Sequence, residues 1–151
     1  MWGLKNHRMG FDPWGLGLFL LIMIPNFVWF AFPAPNDVLR GESVVPVLDA
    51  VGQIFQIGIV AALCGVANSA GGRPMKRGFR VGAAVCVILY FVGWAAYYAG
   101  IAGAAVVFDL CVAPCGAFAL FALGRKNAPA LLAAAGFTVC HLISTFVNFI
   151  L

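Results

Sequence analysis

Residues 130–151 read ALLAAAGFTVCHLISTFVNFIL, twenty-two positions without a charged side chain. At 1.5 Å per residue they make a helix of about 33 Å, enough to cross a hydrocarbon core of about 30 Å. The polar residues within it are ordered. Thr138, His141, Ser144, Thr145 and Asn148 follow one another at intervals of 3, 3, 1 and 3, which stacks them on one helical face. Hydroxyl, imidazole and carboxamide groups are costly against lipid, so that face is expected to turn toward other helices or trapped water. The stretch reads as a membrane span with an internal polar surface.

Outward from it, the chain repeats the theme. Hydrophobic residues make up 64% of the 151 positions and charged residues 9%, with a mean hydropathy of +1.02. A soluble domain carries about a quarter charged residues. Four more apolar stretches precede the last one, at residues 14–32, 46–69, 81–99 and 104–123. The fold class expected is therefore an all-α integral membrane protein, a single domain over 1–151 built as a five-transmembrane-helix bundle in contact with the lipid bilayer. The formal charge of +4 sits in short loops and forms no basic stripe with interleaved aromatics, so nucleic acid is not expected as a partner. Cys64, Cys86, Cys111, Cys115 and Cys140 all fall in apolar stretches, where cysteine acts as a small hydrophobe and not as part of a disulfide framework.

Residues 1–12 mix Trp2, Leu4, Met9 and Phe11 with Lys5, His7 and Arg8, an interfacial lead-in to the first span, and Asp12-Pro13 reads as a helix start. Pro25 is expected to kink that span, with Asn26 beside it to bond a freed backbone group or face a pocket. Asp49, Gln53 and Gln56 form a second single-faced stripe. Residues 71–80 form a basic turn, and the third span ends in Tyr90, Trp94, Tyr97 and Tyr98. Tyr97 and Tyr98 are expected in the interfacial aromatic belt.

Eight of the nine Lys and Arg residues fall on one side of this alternation, and only Arg40 falls on the other. The positive-inside rule then places the N-terminus in the cytoplasm and the C-terminus outside. Counting the helical rise from each outer end puts Asn26 at ~9 Å, Gln53 at ~10 Å and Gln56 at ~15 Å below the outer surface. By the same count Trp94 and Asp109 lie at ~8 Å, Tyr90 at ~14 Å, Ser144 and Thr145 at ~10 Å and His141 at ~15 Å. The polar side chains thus converge in the outer half and the inner half is apolar, which predicts an outward-facing polar and aromatic cavity.

Asp109 is a carboxylate well inside a span with no intramembrane Lys or Arg to pair with, and His141 is the one histidine within a span. Together they are candidates for protonation or for holding ligand charge. Asn26, Gln53, Gln56, Ser144, Thr145 and Asn148 are expected to orient a ligand by hydrogen bonds, and Tyr90 and Trp94 to line its pocket. Ala113 and Ala117 continue the Asp109 face and predict close packing of the fourth span on the fifth.

The chain shares its size, five spans and aromatic content with the translocator (tryptophan-rich sensory) proteins. Pro25-Asn26-Phe27-Val28-Trp29 does not match the proline- and tryptophan-rich signature of those proteins, so no family is assigned from the sequence. No Walker-type glycine loop, zinc-protease motif or serine-nucleophile motif occurs, and no metal or other cofactor is expected. The leading functional reading is binding and transport of a small polar or amphipathic molecule by a bacterial inner-membrane protein, working as a homodimer or with a membrane partner protein. The alternatives are a membrane-embedded enzyme using Asp109 and His141 as an acid–base pair on a lipid or isoprenoid head group, and a non-catalytic accessory subunit of a larger complex.

Overall fold

A computed structural model describes residues 7–68 and 75–149. The readings at positions 1–6, 69–74 and 150–151 lie outside the described residues. Five long helices dominate: α1 (Pro13–Ala31), α2 (Pro46–Gly65), α3 (Arg77–Tyr98), α4 (Ala104–Arg125) and α5 (Ala128–Phe149). All five are long and apolar enough to cross a membrane. They run alternately up and down, so the starts of α1, α3 and α5 share one end with the finishes of α2 and α4. That end carries every described Lys and Arg except Arg40.

Local chemistry sets the boundaries. Asp12 caps α1, its Oδ1 accepting from the N–H groups of Trp14 (3.0 Å) and Gly15 (3.4 Å), with Pro13 at the first helical position. Asn127 opens α5: its Oδ1 accepts from the Ala130 N–H at 3.1 Å, and its Nδ2 donates to the carbonyls of Ala62 and Val66, each at 2.8 Å. It is only 4% exposed, and one buried side chain makes three bonds to backbone groups that join the start of α5 to the end of α2.

Two boundaries differ from the hydropathy reading. The helix of the second span stops at Gly65, and residues 66–68 turn into a strand, β2, that pairs antiparallel with β1 (His7–Met9) in the register His7↔Asn68 to Met9↔Val66. Apolar content runs unbroken through Val66 and Ala67, which is why hydropathy alone carried the helix onward. The third helix starts one turn early, at Arg77, because arginine is a good helix former whose head can reach water from the first turn.

Packing gives α4 the central place. It lies against α3 on one side and α5 on the other, α5 packs closely on α2, and α1 leans on α2 with lighter contact to α3 and α4. Small residues make this possible: Ala113, Ala117 and Ala122 are buried on α4, and Ala130 and Ala134 on α5. The outer faces are apolar. Phe27, Phe30, Ile54, Ile88, Leu132 and Val139 are all exposed, a surface that water would not tolerate and a bilayer does.

Candidate functional site

A cavity of about 240 Å³ opens between the helices, in the half of the bundle away from the basic end. All five helices reach it. Asn26 comes from α1, Gln56 from α2, Tyr90 and Trp94 from α3, Leu110, Pro114 and Phe118 from α4, and Phe137, His141 and Thr145 from α5. Leu39, from the loop after α1, completes the lining.

The proline in α1 helps build one wall. Pro25 has no N–H for the carbonyl of Leu21, and Asn26 beside it donates one amide hydrogen to the Ile22 carbonyl (3.0 Å) and the other to the Tyr90 hydroxyl (2.7 Å). Asn26 thus serves the backbone and the cavity together. Pro114 does the same to the Leu110 carbonyl on α4, and both residues line the chamber.

Aromatic rings form the next wall. Trp94 meets Tyr90 edge-on (6.3 Å, 85°) and Tyr97 edge-on (5.7 Å, 87°), and lies 6.3 Å from Trp29. Trp94 is 6% exposed, and its Nε1–H is buried with no hydrogen-bond partner among the described residues. The Tyr90 hydroxyl is near enough to interact with it but does not offer hydrogen-bond geometry. An unmade bond on a buried indole costs about 1–3 kcal/mol. On α5, His141 stacks on Phe137 (4.9 Å, 19°) and bonds to no described residue. Thr145 lies beside the Cys111 thiol.

Beside Leu39 sits a polar cluster. Asp37 accepts from Trp29 Nε1 (2.9 and 3.0 Å), from the Tyr97 hydroxyl (3.0 Å) and from Arg40 Nε (2.7 Å). Arg40 lies 4.7 Å over the Trp29 ring and donates to the Trp29 carbonyl. The Tyr97 hydroxyl in turn accepts from the Leu39 N–H at 3.1 Å, pinning that lining residue. Burial pushes the Asp37 carboxyl up, but the hydrogen bonds from Trp29, Arg40, Tyr97 and the Ala34 N–H outweigh it and hold the group below the ordinary aspartate value of 3.8.

The sequence-predicted residues divide into groups. Asn26, Gln56, Tyr90, Trp94, His141 and Thr145 line one cavity. Ser144 and Asn148 turn the other way: Ser144 donates to Asp49 on α2, and Asn148 bonds Ser144 (3.0 Å), Ser43 (3.3 Å) and the Val44 N–H (2.8 Å). They stitch α5 to the start of α2. Gln53 is exposed on α2, outside the cavity lining.

Asp109 faces α3, where Gly93 leaves room for its carboxylate; a β-carbon at 93 would run into it. The structure does not bring Asp109 to His141. The α4 residues that line the chamber follow Val107, Leu110, Cys111, Pro114 and Phe118, a helical face that leaves Asp109 to one side. The Asp109 carboxylate therefore meets the third span and not the fifth.

Tyr97 is also not a belt residue. It is 0% exposed, buried between the aromatic column and Asp37. Tyr98 fits an interfacial position better, its hydroxyl donating to the Phe32 carbonyl at 2.7 Å. The residues sequence reasoning missed are Asp37, Arg40 and Leu39, whose loop gives no periodic signal, and Phe118 and Phe137, which look like any apolar position.

No protein-family model, curated protein or solved structure matches the chain. The geometry itself carries the functional reading.

Proposed function

We propose that the protein binds a small, neutral, amphipathic molecule in the five-helix cavity, and that binding is the loading step of its passage through the bundle. The observation that carries this reading is the Trp94 indole N–H, buried at a cavity wall without an acceptor. A small shift of the Tyr90 and Trp94 rings brings this N–H to the cavity surface, where an occupant with a carbonyl or ether oxygen supplies the missing partner and rests its apolar body among Tyr90, Phe118 and Phe137. The volume, roughly that of eight liquid waters, limits the occupant to about one ring or a short chain. None of the lining residues carries a fixed charge, so an ionic occupant loses its hydration without compensation.

Passage is supported by two features. Pro114 lines the cavity, Pro25 precedes the lining residue Asn26, and each interrupts the hydrogen-bond ladder of its helix. We take the Leu39 side of the cavity as its mouth, held by a polar latch around Asp37, which exchanges its bonds for water more readily than a packed core opens. With the basic end in the cytoplasm, as the distribution of Lys and Arg directs, this mouth faces outside.

The test is thermal unfolding of the detergent-solubilised protein with three probes of similar size: acetophenone, ethylbenzene and benzoate. Acetophenone is expected to raise the unfolding temperature above ethylbenzene, and benzoate to leave it unchanged. In Trp94→Phe the ketone loses its advantage over the hydrocarbon. Equal stabilisation by benzoate, or a ketone advantage that survives Trp94→Phe, contradicts the proposal.

A further inference from the structure

At the opposite, basic end a second cleft of about 390 Å³ lies between the starts of α1 and α3 and the finish of α4. Its walls are Trp14, Met75, Arg80, Phe121 and Arg125. Arg125 is positioned from two sides. Its Nη2 pairs with Asp12 at 3.1 Å, and its guanidinium lies 5.4 Å over the Phe121 ring. Its Nε is buried and has no hydrogen-bond partner among the described residues. Arg80 is exposed on the same cleft and pairs with no described carboxylate. Two guanidinium groups thus face one acid, and neither has its donors filled. Guanidinium donors match the oxygens of a phosphate in pairs.

The remaining walls narrow the source of that phosphate. Phe121 and Met75 give the cleft an apolar floor, and Met75 lies over Gly124 on α4. Trp14 is 73% exposed at the first turn of α1, where a span meets the membrane–water boundary. A free phosphate has no use for an apolar floor or an exposed indole at that depth. A phosphate carrying acyl chains uses both. Lys76 and Arg77, exposed at the start of α3, add positive field around the cleft and disfavour a head group with its own cation.

We propose that this cleft is a binding site for the phosphate group of an anionic phospholipid in the leaflet of the basic end, with Arg80 and Arg125 on the phosphate and Trp14, Met75 and Phe121 against the glycerol and upper acyl chains. The site is separate from the cavity and does not depend on the reading given to it.

The test is retention of phospholipid by the detergent-purified protein, measured by native mass spectrometry with dioleoyl phosphatidylglycerol and dioleoyl phosphatidylcholine in competition. The wild type is expected to prefer phosphatidylglycerol by about tenfold, the scale of one charge-assisted contact. Arg80→Gln reduces the preference to about twofold or less, and Arg80→Lys restores part of it. The Arg80 side chain makes no described hydrogen bond or ion pair within the protein, so its replacement leaves the fold intact; Trp14→Leu gives a second variant that weakens binding of both lipids. Adding inorganic phosphate at millimolar concentration separates the sources. If it displaces phosphatidylglycerol completely, the cleft is a free-phosphate site and the lipid assignment fails. A wild type without preference, or a preference unchanged in Arg80→Gln, also overturns the proposal.

Discussion

The Asn26 carboxamide donates to the Tyr90 hydroxyl across 2.7 Å, tying α1 beside its proline to the aromatic column of α3. Helices α1 and α3 touch only lightly elsewhere, so this bond does much to fix the cavity wall between them. Tyr90→Phe is expected to cost about 1 kcal/mol and Asn26→Leu about 1–2 kcal/mol, since the latter also frees the Ile22 carbonyl. Their double-mutant cycle should show a coupling of about 0.5–1.5 kcal/mol in chemical unfolding. Additive losses would mean the two residues act separately.

The Asp37 latch makes a pH prediction. Its carboxyl titrates below the unfolded value of 3.8, so the ionised form is the one the fold prefers. The stabilisation is fully present above that value and is lost as pH falls through the lower folded value. Asp37→Asn should lower stability by about 1–3 kcal/mol at neutral pH, through loss of the charge-assisted bonds to Arg40, Trp29 and Tyr97. The gap between wild type and variant should stay constant at about pH 5 and above, and close in stronger acid. Unfolding temperatures across a pH series check it.

Asn127 offers a test of the basic end. Asn127→Ala removes the α5 cap and the side-chain donor shared by the Ala62 and Val66 carbonyls, of which Ala62 keeps the Val66 N–H, an expected loss of about 1–3 kcal/mol. Asn127→Ser should recover about 1 kcal/mol, the worth of the cap alone. Thermal unfolding of the three proteins separates the contributions.

Asp109 provides the negative control for the cavity. Its carboxylate sits against Gly93 and outside the chamber lining, so Asp109→Asn should leave acetophenone affinity within about twofold. A loss of tenfold or more by titration would place this residue in the binding path.

Much of the fold was legible because its signals are one-dimensional. Five uninterrupted apolar stretches, the Asp12-Pro13 start and the charge alternation each sit in a short window. The polar stripe on α5 was legible only as a stripe. His141 and Thr145 turn to the cavity while Ser144 and Asn148 turn to α2, and a helical face of that width touches two neighbours at once. Which residues meet which neighbour depends on the packing of small residues around α4, and that is a property of the assembled bundle. The same limit hid the partner of Asp109 and the burial of Tyr97. Asp37 was illegible for another reason: its partners Trp29, Arg40 and Tyr97 converge from a helix end, a turn and a third helix, with no shared spacing. The β1–β2 ribbon escaped because β2 extends an apolar run and β1, three residues with one positive charge, is too short for an alternating pattern.

The central claim is that Trp94 presents an unfilled donor to a small neutral guest. Indole N–H resonances of the ¹⁵N-tryptophan-labelled protein in lipid nanodiscs measure this directly, with Trp94 assigned by its absence in Trp94→Phe. Trp29, bonded to Asp37, should resonate downfield in the unliganded protein and Trp94 upfield. On titration with acetophenone the Trp94 proton should move downfield and saturate, while ethylbenzene leaves it nearly in place. A Trp94 resonance already downfield before any addition, or one indifferent to the ketone, contradicts the account.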